Sequence, residues 1–271
     1  MAISNYTNIH MNFSIYSLIT AIFVGGISGY LGSLMVTKKM SLVGDAMGHI
    51  ALPGMGLALL FGHNVSLGAF AFLLLGVWVI WYLEPKTNLP TETLVGIIFV
   101  FSLAIGFFVT PDLELLEALF GDILKISTFD FWMAVSTSSI IFFGIRKIYP
   151  KLMLGFLSED LAISNGINIK KYNFLYLLAI ASIVALGVKV VGSLLVGALA
   201  IIPAAAARKI SKNISQYTLF AGVIGALSCA IGTIVSNTYS LSAGPTVILV
   251  SISFFTVTLL LKNDVKTKIS V

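Results

Sequence analysis

The sequence predicts an all-α fold: a polytopic transmembrane helical bundle of about eight or nine spans, forming one membrane domain over residues 1–271. Three observations predict it. Hydrophobic residues make up 58% of the chain and charged residues 10%, with a mean hydropathy of +1.03; soluble domains do not have this composition. Nine apolar segments recur, near 13–36, 42–61, 65–83, 92–110, 129–146, 173–188, 190–207, 217–236 and 244–261, and most approach the ~20 residues that cross a hydrocarbon core of about 30 Å. The basic residues, finally, fall on alternate connections, as the positive-inside rule requires.

With the N-terminus placed outside, the connections that face the cytoplasm carry Lys38, Lys39, Lys86, Arg146, Lys147, Lys151, Lys170, Lys171, Arg208, Lys209, Lys212, Lys262, Lys266 and Lys268. Only Lys125 and Lys189 of the 16 basic residues fall on the other side. The expected topology is N-out, C-in. This placement accounts for the net charge of +5 without a nucleic-acid partner. The first twelve residues contain no Lys or Arg, so the basic n-region of a cleavable signal peptide is missing.

In chain order, the first span is studded with Gly25, Gly26, Gly29 and Gly32, and the second with Gly44, Gly48, Gly54 and Gly56. Small residues at GxxxG spacing (Gly25/Gly29, Gly44/Gly48) let helices approach closely in lipid. The third span runs toward Lys86, and "NLPTETLVG" (88–96) opens the fourth. "TPDLELLEALFGDILKISTFDF" (110–131) then carries Asp112, Glu114, Glu117, Asp122 and Asp130. It reads either as an acidic outer vestibule that concentrates cations or as a surface helix whose Asp112 and Asp130 act near helix ends. After the fifth span, 146–171 is the longest polar connection, with the acidic pair Glu159 and Asp160 and a short amphipathic helix expected between its basic ends. Segments 173–188 and 190–207 are the weakest pair, since one or both are short for a full crossing. "PAAAARKISKNISQ" (203–216) follows, and the eighth span holds Cys229, the single cysteine. One cysteine excludes an intrachain disulfide or a cysteine-cluster metal site.

The chemistry centres on "SLVGDAMGHIALPGMG" (41–56), where Asp45 and His49 stand one helical turn apart. An Asp near the centre of a membrane helix costs about 2.5–3.5 kcal/mol and normally faces a cavity or a partner. Residues four apart share a helix face, so the two side chains can point at one ion. Carboxylate oxygen with imidazole nitrogen suits divalent zinc, manganese or iron better than monovalent copper. Pro53 has no N–H for the carbonyl of His49, and the carbonyl so freed is tolerated only beside protein or a water-filled cavity. Glu92, one residue into its span, enters from the same side as Asp45 and is a third candidate ligand. Each residue also fits an ordinary role: Asp45 as a first-turn acid, His49 as a core histidine bonded to a carbonyl, Glu92 as a helix-start acid after Pro90 and Thr91. His10 and His63 fall outside the spans.

Five stretches in order, "SLVGDAMGHIALPG" (41–54), "TETLVGIIF" (91–99), "LFGDIL" (119–124), "VKVVGSLLVGALAIIPAAAAR" (188–208) and "SAGPTVIL" (242–249), resemble the membrane permease subunits of ABC transporters for manganese, zinc and iron. Met47 and Ile50 depart from the residues common in that family. The resemblance implies a fold like that of the vitamin B12 and siderophore permeases, and Asp45, His49 and Glu92 along the metal path. It further implies a homodimer in the lipid of the bacterial cytoplasmic (inner) membrane, two ATP-binding subunits on the cytoplasmic side and an extracytoplasmic metal-binding protein. No cofactor is permanently bound; the metal ion is cargo. The chain has no GxxxxGK[ST] phosphate-binding loop, so it is expected not to be an enzyme, and ATP hydrolysis falls to a separate subunit. Ala204, Ala205, Arg208 and Lys209 are the expected contact with that subunit, the alanines lying in its groove and the basic residues at the edge. The competing class is a secondary divalent-cation transporter driven by an ion gradient, which would also want an intramembrane Asp and His.

The topology is tested by cysteine-accessibility labelling in intact cells. A cysteine at 63 should react with an impermeant reagent from outside and one at 160 should not; labelling of 160 from outside would overturn the N-out arrangement.

Overall fold

The computed structural model describes residues 15–87, 89–109, 119, 121 and 126–260. All regular structure among them is α-helical. Asp112, Glu114, Glu117, Asp122, Lys125, most of "LFGDIL", His10, Lys262, Lys266 and Lys268 lie outside the described residues.

The helices are α1 (Ile15–Thr37), α2 (Val43–Ile50), α3 (Leu52–Leu60), α4 (Val65–Thr87), α5 (Thr91–Val109), α6 (Thr128–Leu157), α7 (Glu159–Ser164), α8 (Ile169–Val191), α9 (Val196–Ile210), α10 (Ile214–Tyr239) and α11 (Ala243–Leu260). Among the described residues, eight stretches are long and apolar enough to cross a bilayer, counting α2 and α3 as one interrupted span. Each of the nine apolar segments is helical, but they are not nine full crossings. Of the weak pair, α8 has 23 residues, whereas α9 has 15, about 22 Å of helix against a core of about 30 Å. The fifth span continues well past 146, to Leu157.

α1 is the central post, packed against α6, α8, α9 and α10. Its glycines make this possible. An added Cβ at Gly29 would lie 2.2 Å from the carbonyl oxygen of Ala221 on α10, and one at Gly32 would lie 2.0 Å from that of Ala200 on α9. Backbone therefore touches backbone on two sides of α1. The Gly25/Gly29 pair serves α10 in this way, while a Cβ on Gly44 would meet the flexible thioether of Met35 at 3.4 Å and Gly197 Cα at 3.6 Å, both ordinary contacts.

α8 and α9 are separated by a turn at Gly192 (φ 87°), a left-handed conformation that favours glycine. The Leu194 N–H donates to the Leu119 carbonyl (3.2 Å), which ties the turn to the segment before α6. An ion pair closes the same region: the Lys189 ammonium donates to Asp130 Oδ2. Asp130 is the N3 residue of a capping box at the start of α6. Ser127 N–H and Oγ donate to Asp130 Oδ2 (2.9 and 2.5 Å), and the Asp130 N–H donates to Ser127 Oγ (3.2 Å). Of the two readings of Asp130, vestibule acid and helix-end residue, the structure supports the second.

Removing one partner of a buried pair leaves an uncompensated charge and costs about 3–5 kcal/mol. Lys189→Met should destabilise the detergent-solubilised chain by that order, and the double variant Lys189→Met/Asp130→Asn should recover much of the loss. Equal loss in single and double variants, measured by thermal unfolding, would show that the pair is not the source.

Candidate metal path

α2 follows a tight reversal in which Lys39 adopts φ 62° and the Met40 N–H donates to the Met35 carbonyl (2.9 Å). Val43, Met47 and Ile50 are buried, which leaves Asp45 and His49 together on another face, both half-buried. Four residues apart on one helix, they are side-by-side neighbours.

α9 holds this face in place at backbone contact. A Cβ on Gly197 would fall 2.6 Å from Asp45 Cα, and one on Gly48 would fall 2.5 Å from the Ser193 carbonyl oxygen. From the other side α5 brings the Phe99 ring to 5.3 Å from the imidazole. His49 Nδ1 is buried and has no hydrogen-bond partner among the described residues. The fold does not use that nitrogen, which is unusual for a buried polar atom.

The same contacts fix the depth of the pair. Gly32, which meets Ala200, is five residues before the end of α1. Gly197, which meets Asp45, is three residues before Ala200 on α9. At about 1.5 Å per residue, Asp45 lies roughly 12 Å inside the Lys38 end of the bundle and His49 roughly 18 Å, near the middle of the hydrocarbon core. Just beyond, the helix is interrupted at Ala51. Pro53 stands in the first turn of α3, where it offers no N–H to the His49 carbonyl.

Glu92 is not brought into this group. It is exposed in the first turn of α5, seven residues and so about 10 Å of helix from Phe99. Those seven residues place it on the same stripe of α5 as Phe99, toward the Lys38 end. No three His, Cys, Asp or Glu side chains among the described residues are placed to hold one ion. The expected three-ligand set is thus two residues together and one nearer the mouth. His63 is exposed, away from the pair.

The expected contact at 203–216 needs correction. Ala204 is 0% exposed, packed with Ala206, Ala207, Tyr217, Ala221 and Ile224 in a cluster between α9 and α10, so it lines no groove of another protein. Ala205 is half-buried, and Arg208 and Lys209 are exposed. The short helix α7 is the more prominent feature at this end. Ser158 Oγ caps it by accepting from the Leu161 N–H (3.3 Å), and only Ala162 is buried. Leu161 (56%) and Ile163 (63%) face outward beside Glu159 and Asp160.

Phe99, Ser193 and Gly197 were not singled out by the sequence; a glycine two residues into a helix was the one available sign of close contact.

The chain is similar to known proteins over most of its length. The chain is 29% identical over 243 residues to the manganese transport system membrane protein MntC of Listeria monocytogenes, covering 88% of this chain and 87% of that protein. It is 33% identical over 250 residues to the high-affinity zinc uptake system membrane protein ZnuB of Haemophilus influenzae, covering 90% and 95%. Among solved structures it is similar to PsaBC from Streptococcus pneumoniae in complex with Fab, with 26% identity, a TM-score of 0.79 and 92% of each chain covered. The model of the ABC 3 transport family matches residues 10–262, and with nearly the whole chain so matched, this multi-pass membrane protein belongs to that family.

Proposed function

We propose that the chain, acting as a single permease domain over residues 1–271, carries a divalent transition-metal ion (zinc, manganese or iron) across the bacterial cytoplasmic membrane as the membrane subunit of an ABC importer. The observation that carries the metal assignment is the Asp45–His49 pair, half-buried near mid-membrane, with an imidazole nitrogen that the fold leaves unpaired. Glu92, on the α5 stripe toward the Lys38 end, serves as a further carboxylate on the same route rather than as a simultaneous ligand in one chain. One imidazole with carboxylates satisfies zinc as well as manganese. No cofactor resides in the chain.

The partners follow from what the chain lacks and exposes. It has no phosphate-binding loop, so ATP is hydrolysed by a separate subunit, docked at the Lys38 end on Leu161 and Ile163 of α7, with Arg208 and Lys209 beside it. α5 exposes Ile97, Val100, Phe101, Phe107 and Phe108, an apolar face suited to lipid or to the second copy of a homodimer. The N-terminus is outside and the C-terminus cytoplasmic, with an extracytoplasmic metal-binding protein delivering the ion at the outer face. The family favours this reading over a gradient-driven transporter, for which uptake would follow the proton-motive force and not ATP.

Asp45→Asn removes the charge at constant size, and His49→Leu removes the ligand nitrogen while keeping bulk; both are mild changes for a membrane helix. Each should abolish uptake of Mn²⁺ or Zn²⁺ per assembled transporter while insertion is retained. Wild-type uptake per molecule in either variant would make the pair structural. Replacing Leu161 and Ile163 with Asp should prevent co-purification of the ATPase with an inserted permease; normal assembly would move the contact to the Arg208 end.

A further inference from the structure

Asp45 and His49 offer an ion one carboxylate and one imidazole, and no third His, Cys, Asp or Glu among the described residues joins them. Zinc takes four ligands, and manganese prefers a larger set rich in oxygen. Any further protein donor at this depth must be an oxygen of another kind. Two backbone contacts show where to look. A Cβ on Gly197 would lie 2.6 Å from Asp45 Cα, and one on Gly48 would lie 2.5 Å from the Ser193 carbonyl oxygen. Going outward along α2, from Asp45 to Gly48, the touching residues run backward in the chain, from Gly197 to Ser193. The two segments are antiparallel neighbours, so Ser193 stands at the level of Gly48 and His49.

Ser193 lies in the turn between α8 and α9 and is 0% exposed. Its Oγ is buried without a hydrogen-bond partner among the described residues. Other buried hydroxyls of the bundle donate to a carbonyl three or four residues back: Ser33 Oγ to Tyr30 (2.6 Å), Ser211 Oγ to Ala207 (2.6 Å) and Ser251 Oγ to Val247 (3.0 Å). Ser193 makes no such bond, α8 having ended at Val191. The other unpartnered hydroxyl oxygens sit on α1, α6, α8 and α10; Ser193 belongs to the turn that touches α2. His49 Nδ1 is buried and unpartnered as well. Leaving a buried polar group unmet costs about 1–3 kcal/mol. Here one oxygen and one nitrogen in that condition belong to residues at one level on facing segments.

We propose that Ser193 is a further metal-binding residue of the path, its hydroxyl oxygen donating a lone pair to the ion that His49 and Asp45 hold. This rests on the importer reading above. The hydroxyl keeps its proton, so it adds a donor without adding charge. A neutral oxygen binds more loosely than a carboxylate and can complete the shell of an ion in transit without trapping it. It is also a water-like donor, of the kind that suits manganese better than zinc. Ser193 thus biases a choice of ion that the Asp45–His49 pair alone leaves open.

The direct test needs neither ATP nor partners. In the full-length chain carrying Cys229→Ala, which removes the single native thiol, Ser193→Cys puts a metal-binding sulfur at the same place. Titration with Cd²⁺ should raise the ultraviolet thiolate-to-cadmium charge-transfer band, absent from the Cys229→Ala parent. Adding His49→Leu should weaken the apparent Cd²⁺ affinity by about tenfold or more, since even partners of metal ligands are worth that much. No band in a folded Ser193→Cys chain, or an affinity indifferent to His49, overturns the proposal. Ser193→Ala gives a second measurement that does not depend on the cysteine variant folding. In proteoliposomes of the complete transporter, its Mn²⁺ uptake relative to Zn²⁺ uptake should fall by about threefold or more, the low end of coupling between neighbouring groups. An unchanged ratio, which a purely structural serine would give, overturns the proposal. If the wild type shows no ATP-dependent uptake, the importer reading falls by itself, and the cadmium titration still decides the role of Ser193.

Discussion

Helices in lipid gain nothing from hiding apolar side chains from one another, because the surrounding hydrocarbon is equally apolar; close packing must hold them together. Backbone-to-backbone contact at glycine is the constraint on which the rest of this structure depends. Gly29 and Gly32 let α1 touch α10 and α9, and that places α9 where Gly197 rests against the backbone of Asp45. The position of the acid in the membrane is therefore set by a stack of glycine contacts two helices away from it. A side chain at any of these points would move α9 outward, and the Asp45–His49 face would lose the wall that orients it.

One buried and one half-buried acid of the described bundle illustrate different solutions to one electrostatic problem. Asp130 is 4% exposed and its Oδ2 is satisfied locally, by Ser127 and by Lys189, so its charge is consumed by structure. Asp45 is half-buried and stands beside an imidazole, with no basic partner bridging it among the described residues. A carboxylate that the fold has already paired cannot serve a passing cation without breaking the fold; one left beside a neutral ligand can. That contrast separates structural acid from path acid more sharply than membrane depth does.

Much of this was legible in the sequence. Hydropathy located the long spans among the described residues, since a bilayer demands long apolar runs, and helical spacing placed Asp45 beside His49, since four residues are one turn. What failed to show had physical causes. The run from Val190 to Ala207 is apolar but for Ser193, so composition could not reveal that Gly192 reverses the chain there or which of the two segments falls short. The alanines at 204–207 resemble a surface made for a partner, but small residues serve close helix packing within one chain equally well, and here Ala204, Ala206 and Ala207 do so. The Lys189–Asp130 pair joins residues 59 apart, and no local pattern encodes a contact of that kind. Glu92 enters from the correct side, yet its distance from His49 depends on how far α5 slides along α2, which only the packing of Phe99 and Gly106 settles.

The separation of Glu92 from the pair has a consequence for transport. A path must bind its ion well enough to strip water and weakly enough to release it. Three protein ligands closed around a transition metal in one rigid chain would hold it resident, as three protein ligands hold the zinc of metalloenzymes. In the proposed path the candidate ligands are strung along the axis instead: His49 deepest, Asp45 one turn toward the inner end, and Glu92 roughly another turn beyond it. An ion moving inward can exchange nitrogen for oxygen and then one carboxylate for the next, without being enclosed by all of them together.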